Sequence, residues 1–205
     1  MLDKWWLVVV IISVAVSVIT TILVLIRNLS KKYKERLAMV AAALGAEFFP
    51  GSWKEQPSMK LGIGSRSCEI TFHVVSSGNS SVTYLDLKAD IAPTDTKISI
   101  KKVGFGSKFF KRIGLSKPIS SGDPYFDEKV AVFGSPEQRI LSLIYGPYFK
   151  DAAMKLSQRG YTVSTKDDKI IASKVFSRKK DLTELVLRED LDALVRLAET
   201  LEERR

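Results

Sequence analysis

Two residue types that build most small reactive centres are nearly missing. Cys68 is the lone cysteine and His73 the lone histidine among 205 residues. One cysteine excludes an intramolecular disulfide and suits a reducing compartment. One of each leaves too few ligands for the common zinc arrangements. A cysteine–histidine nucleophilic pair is disfavoured too, because positions 68 and 73 lie an odd number apart in an alternating strand and so face opposite sides. Charge is absent from Leu7 to Ile26, and acid is absent from Lys101 to Pro118. There is no internal repeat, and no low-complexity linker long enough to split the chain.

What is present starts with the uncharged run LVVVIISVAVSVITTILVLI, Leu7 to Ile26. At ~1.5 Å per residue a helix of this length spans about 30 Å, the thickness of a bilayer's hydrocarbon core. It is too long for the apolar core of a secretory signal, and Ile26-Arg27-Asn28-Leu29-Ser30 offers no small-x-small cleavage pattern. Trp5 and Trp6 suit an interfacial aromatic belt. The N-terminal flank has one Lys and one Asp; the other has Arg27, Lys31, Lys32, Lys34 and Arg36 against Glu35. Cationic residues collect on the cytoplasmic side. The expectation is a single-pass plasma-membrane protein with residues 1–6 outside, a span at 7–26, and the large C-terminal domain in the cytoplasm.

The net charge of +9 is unevenly spread. Residues 27–118 carry 16 basic and 7 acidic side chains, whereas residues 119–205 carry 15 of each. The whole excess therefore sits in the half that follows the span. Such asymmetry points to an anionic lipid surface ahead of nucleic acid.

After the span, Ser30 to Phe48 reads as a basic juxtamembrane helix, assigned to residues 27–47, with Leu37, Val40, Ala41 and Leu44 on one stripe and Gly45 as its stop. Residues 48–205 are expected to form an α+β domain. Phe48, Phe49, Pro50, Gly51, Ser52 and Trp53 read as an aromatic turn. A β meander follows, with strands at Arg66–Ser76, Val82–Ile91 and Lys97–Val103, and a short strand at Lys60–Gly64 before them. Ile119 to Glu128 reads as a loop feeding a strand at Lys129–Phe133. Ser135 is expected to cap a helix ended by Gly146-Pro147, with a second from Pro147 to Arg159. Tyr161–Thr165 and Lys169–Phe176 read as a hairpin. Asp181 is expected to cap a C-terminal helix, 181–203, whose Leu187, Leu191, Leu194, Ala198 and Leu201 form one amphipathic seam. That seam, with Ser13, Ser17 and Thr21 in the span, would suit a homo-oligomer.

Three stretches could carry function. Lys101, Lys102, Lys108, Lys111, Arg112 and Lys117 share the segment to Pro118 with Phe105, Phe109 and Phe110. Cations mixed with aromatic rings suit a surface of anionic lipid head groups, each cation contributing about 1 kcal/mol; single-stranded nucleic acid uses the same mixture. Gly104-Phe105-Gly106 lacks the further glycine and the strand–loop–helix context of a dinucleotide loop. Asp123, Asp127 and Glu128 are the best acidic cluster, and an enzyme would need them to converge with another polar group. Their spacing is not that of a calcium loop. No residue is assigned as catalytic, metal-binding or cofactor-binding.

The block Gly122 to Glu137, GDPYFDEKVAVFGSPE, carries a GDxxFDxxVxVxG pattern. With LAMVAAALGAEF upstream and the Leu-rich terminal helix, it resembles a module of uncharacterised prokaryotic single-pass membrane-anchored proteins over roughly residues 36–205. The resemblance implies a membrane-tethered domain and no particular reaction. The sequence thus favours a binding or scaffolding role over catalysis, with a bilayer and an unidentified protein as partners.

Overall fold

The computed structural model describes residues 5–52, 55–78, 80–104 and 117–203. Contacts divide the chain into two units, Met1–Met39 and Val40–Arg205.

The first unit holds most of α1 (Trp5–Leu44), a single 40-residue helix. Neither proline nor glycine interrupts it, so nothing in the sequence breaks the hydrogen-bond ladder at Asn28–Ser30. Its apolar side chains from Val8 to Ile26 are exposed. The Thr20 and Thr21 hydroxyls donate back to the Val16 and Ser17 carbonyls at 2.8 Å, which satisfies them within the helix. Of the predicted stripe, Leu37, Ala41 and Leu44 are buried, and Val40 is half-buried.

The helix ends at Leu44, with Gly45 as the expected stop, short of the assigned bound at residue 47. Gly45 takes φ +70°, the left-handed conformation glycine adopts without steric cost. Gly45 N–H then donates to Ala42 O at 3.1 Å and Ala46 N–H to Ala41 O at 2.8 Å. The Arg188 guanidinium donates to Ala43 O at 3.3 Å. Phe48 and Phe49 consequently lie in a strand, β1 (Glu47–Phe49), rather than in a helix end and turn.

The remaining strands are β2 (Ser58–Ile63), β3 (Arg66–Ser77), β4 (Ser80–Asp90), β5 (Lys97–Lys102), β6 (Val130–Ser135), β7 (Thr162–Lys166) and β8 (Lys169–Val175). They form one eight-stranded sheet in the order β1-β2-β3-β4-β8-β7-β5-β6, and every pair is antiparallel. The predicted meander is therefore interrupted. β5 does not join β4; the β7–β8 hairpin, turned by Asp167 and Asp168 at positive φ, is inserted between them. Alternation in a strand says which residues share a face but not which strand lies alongside.

Helices cover one face of this sheet: α2 (Pro124–Lys129), α3 (Glu137–Ile144), α4 (Pro147–Gln158), α5 (Arg178–Asp181) and α6 (Glu184–Glu203). All five seam residues of α6 are at most 2% exposed, beside Ile70, Leu85, Leu87, Ile170 and Ala172 in the core. An oligomer cannot use a seam that the domain has already buried. Gly134 on β6 is a point of close approach, where an added Cβ would lie 2.6 Å from both Ile140 Cγ1 on α3 and Lys97 O.

One predicted loop and two predicted caps are corrected. Residues 124–129 form α2 instead of loop and strand start, because Asp123 accepts from Tyr125 N–H at 3.1 Å and Phe126 N–H at 3.3 Å while Pro124 fills the first turn. Ser135 ends β6, and Pro136 occupies the cap position of α3 with no side-chain hydrogen bond. Asp181 belongs to α5, where its carboxylate turns to Ser177 N–H at 2.6 Å and Lys174 Nζ at 2.8 Å. Thr183 takes over at α6, its hydroxyl accepting from Val186 N–H at 3.4 Å.

Candidate membrane-facing site

Strand alternation splits the start of the basic segment. Lys101 and Lys102 are neighbours on β5 and so project to opposite faces. Lys101 is only 5% exposed, and burial lowers its pKa. It does not reach the surface for which the sequence nominated it. Lys102 is exposed, and next to it Val103 is 45% exposed. Phe105, Lys108, Phe109, Phe110, Lys111 and Arg112 lie outside the described residues.

The chain leaves and re-enters this segment at one place. Val103 N–H donates to Lys129 O at 3.0 Å, and Ile119 N–H donates to Val132 O at 2.8 Å. Between these two stitches is a cleft of about 440 Å³ lined by Lys102, Val103, Ile119, Asp127, Val130 and Phe133, among others. Its walls are mainly aliphatic and aromatic, with one cation and one carboxylate. Such a lining suits an apolar group better than a charged substrate.

The other predicted anchors sit on α1. Trp5 and Trp6 are 70% and 60% exposed, and Arg27, Lys31 and Lys32 are exposed. Trp6 and Arg27 are separated by about 30 Å of helix at ~1.5 Å per residue. Lys31 makes an exposed pair with Glu35 at 3.8 Å, one helical turn on.

The acidic cluster does not converge. Asp123 caps α2, and its pKa is lowered chiefly by the Phe126 N–H, then by Lys150 at 3.3 Å. Asp127 accepts from the Ser120 hydroxyl at 2.7 Å and Ser121 N–H at 3.0 Å. Burial pushes its carboxyl up, but these hydrogen bonds and Lys150 outweigh that and leave it low. Glu128 is exposed and contributes to neither arrangement. Two of the three carboxylates thus hold a loop in shape. Among the described residues no three His, Cys, Asp or Glu side chains gather to hold a metal ion.

Cys68 and His73 fall on opposite faces, as the strand period requires. Cys68 is 1% exposed, and burial pushes its thiol up to about 11, the wrong direction for a nucleophile. His73 is exposed, with Nδ1 2.8 Å from Asp86 Oδ2 and its ring stacked on Tyr84 at 5.1 Å.

Sequence reasoning missed a buried ionic cluster. Lys174 on β8 (6% exposed) lies 2.8 Å from Asp181 and 3.6 Å from Asp190, which is fully buried on α6. Arg159, at the end of α4, reaches Asp190 at 2.6 Å and also bonds Glu189 and the Val186 carbonyl. The Lys174 Nζ stands 4.3 Å from the centroid of the Tyr161 ring, and burial followed by the Asp190 charge raises that tyrosine's pKa. A signal existed. Lys174 continues the inward register of Ile170 and Ala172, and Asp190 falls one place before Leu191 in the leucine seam.

A long unburied apolar helix followed by an α+β domain built on one eight-stranded antiparallel sheet defines the class. No protein-family model and no curated protein matches the sequence. Among solved structures, the crystal structure of the mycobacterial trehalose monomycolate transport factor A, TtfA, matches with a TM-score of 0.55. The match covers 82% of this chain and 94% of that one at 10% identity. At this identity the likeness is one of fold.

Proposed function

We propose that the chain is a single-pass membrane protein whose α+β domain is a binding or scaffolding part of a membrane complex. One observation carries the reading. The most apolar stretch of α1 has a mean hydropathy of 3.0, and none of it is buried. Each large aliphatic side chain gains about 1.5–3 kcal/mol on leaving water, so the run from Val8 to Ile26 strands on the order of tens of kcal/mol unless lipid receives it. The lopsided cations at Arg27, Lys31 and Lys32 support a cytoplasmic domain. The basic and aromatic composition of the segment after Lys101 suits anionic head groups, and exposed Lys102 lies beside the cleft where that segment begins.

The fold shared with TtfA, a transport factor by name, supports an accessory role over an enzymatic one. So does the arrangement of Asp123 and Asp127, which spend their acceptor capacity on the α2 loop. Two measurements on the full chain in native membranes test the reading. It expects resistance to alkaline carbonate extraction, and digestion of the domain by protease in inside-out but not right-side-out vesicles. Release by carbonate overturns the anchor; the reverse protease pattern overturns the topology.

A further inference from the structure

The β3–β4 hairpin continues past the covered part of the sheet. Phe72 is the last buried residue of β3 and Leu85 the first of β4. Beyond them Val74, Val75 and Val82 are 45%, 48% and 38% exposed. The register sets Val75 opposite Val82 and Val74 opposite Thr83. Directly paired residues share a face and successive ones alternate, so valines lie on both faces of the hairpin end. Val175, at the end of β8, is 60% exposed and pairs with Tyr84, on the face of Val75 and Val82.

Charged residues flank this apolar end, with Glu55 and Glu69 in the hollow that Val74 and His73 line and cations on the segment after Val175. From Val74 to Tyr84 the sequence has no ionisable acid or base other than the tyrosine. Phe176 ties the next segment down, its N–H donating to Thr83 O at 2.9 Å and its ring 4.9 Å from that of Phe72. The chain then enters α5, where Arg178 and Lys180 are exposed. Two carboxylates of this region pair within the domain, Asp86 with His73 at 2.8 Å and Asp181 with Lys174 at 2.8 Å.

We propose that this end of the domain is a second bilayer contact, in which Val74, Val75, Val82 and Val175 enter the head-group region of an anionic leaflet while Arg178 and Lys180 meet its phosphates. The inference rests on the membrane-anchored reading above. Lipid surrounds both faces of a hairpin end, whereas a protein partner covers one. A tethered domain meets the leaflet at high effective concentration, so a weak contact suffices.

The test uses the full chain in nanodiscs, labelled at Val75→Cys with an environment-sensitive fluorophore; Cys68 stays in place because it is buried. In discs of phosphatidylcholine with about 30% phosphatidylglycerol, an anionic leaflet, the emission should shift to the blue and be quenched by brominated lipid. Each cation should contribute about fivefold in apparent affinity, so Arg178→Glu with Lys180→Glu should abolish the shift, and the milder Gln pair should weaken it. Equal emission in neutral and anionic discs overturns the proposal, as does a shift that survives charge reversal. A shift that instead follows protein concentration in lipid-free detergent overturns it in favour of contact between copies. Carbonate resistance reads the anchor separately, so a chain that stays in the membrane without a label response refutes the hairpin contact alone.

Discussion

The two sets of carboxylates in the C-terminal half behave in opposite ways. Asp123, Asp127 and Glu128 stand close in sequence and look like a reactive cluster, yet Asp123 and Asp127 mainly hold the α2 loop, with Lys150 of α4 as their long-range contact. Asp181 and Asp190 are nine residues apart and look unremarkable, yet with Lys174 and Arg159 they join α4, α5, α6 and β8 in one buried network. Proximity in sequence reports a turn. A charge standing in an apolar register reports a long-range contact.

Substitutions can break this contrast, and the largest effect belongs to the buried set. Asp190→Ala leaves Lys174 and Arg159 short of a buried counter-ion, so chemical denaturation of the full chain in mild detergent should show a loss of about 3–5 kcal/mol. If the cluster serves packing geometry and not net stability, removing it whole costs less. The triple variant Lys174→Met, Asp181→Asn, Asp190→Leu should thus lie nearer the parent than Asp190→Ala does in the same denaturation series.

Effects at the exposed set should be smaller. Asp127→Ala leaves the Ser121 N–H without its acceptor, a cost of about 1–3 kcal/mol if water does not replace it, visible as faster hydrogen exchange at that amide. Acid should act on the same bonds. Asp123 and Asp127 have folded pKa values below their unfolded ones, so the stability they supply is present above the ordinary carboxylate range and is lost as pH falls through the folded values. Lowering the pH from about 4 to 2 should loosen the α2 loop, and Asp127→Asn should flatten that dependence. Glu128→Gln, exposed and outside both arrangements, should leave melting and pH profile unchanged.

The sequence was most legible where one physical rule acts alone. The apolar helix, the inward residues Cys68, Ile70 and Phe72, and the leucines of α6 all follow from periodicity and burial. It was least legible where two rules compete for the same residue. Asp181 satisfies the pattern of a helix cap, but the buried Lys174 offers its carboxylate a stronger partner. Asp123-Pro124 opens a turn and a helix with equal chemistry, and only the packing of Phe126, 1% exposed, decides for the helix. Strand neighbours were out of reach, because β5 has the same inward pattern whether it borders β4 or β7. For the candidate site, the basic segment was readable as composition. That Lys101 is buried depends on its place on β5, where the face it shares with Ser99, opposite Ile98 and Ile100, is covered as well.

The strand order carries a consequence for how the protein is made. β1 to β4 and the β5–β6 pair are both complete by Ser135, yet β8 and β7 alone connect them, and β8 ends at Val175. A chain still emerging from the ribosome therefore holds two unsealed sheet edges for some forty residues of synthesis. Such distant pairings close slowly, and open edges are the points at which nascent chains stick to one another. The apolar helix α1 leaves the ribosome before any strand of the sheet. If it enters the bilayer at once, each unfinished domain is held at a fixed place on a surface, apart from its siblings, until the closing hairpin arrives.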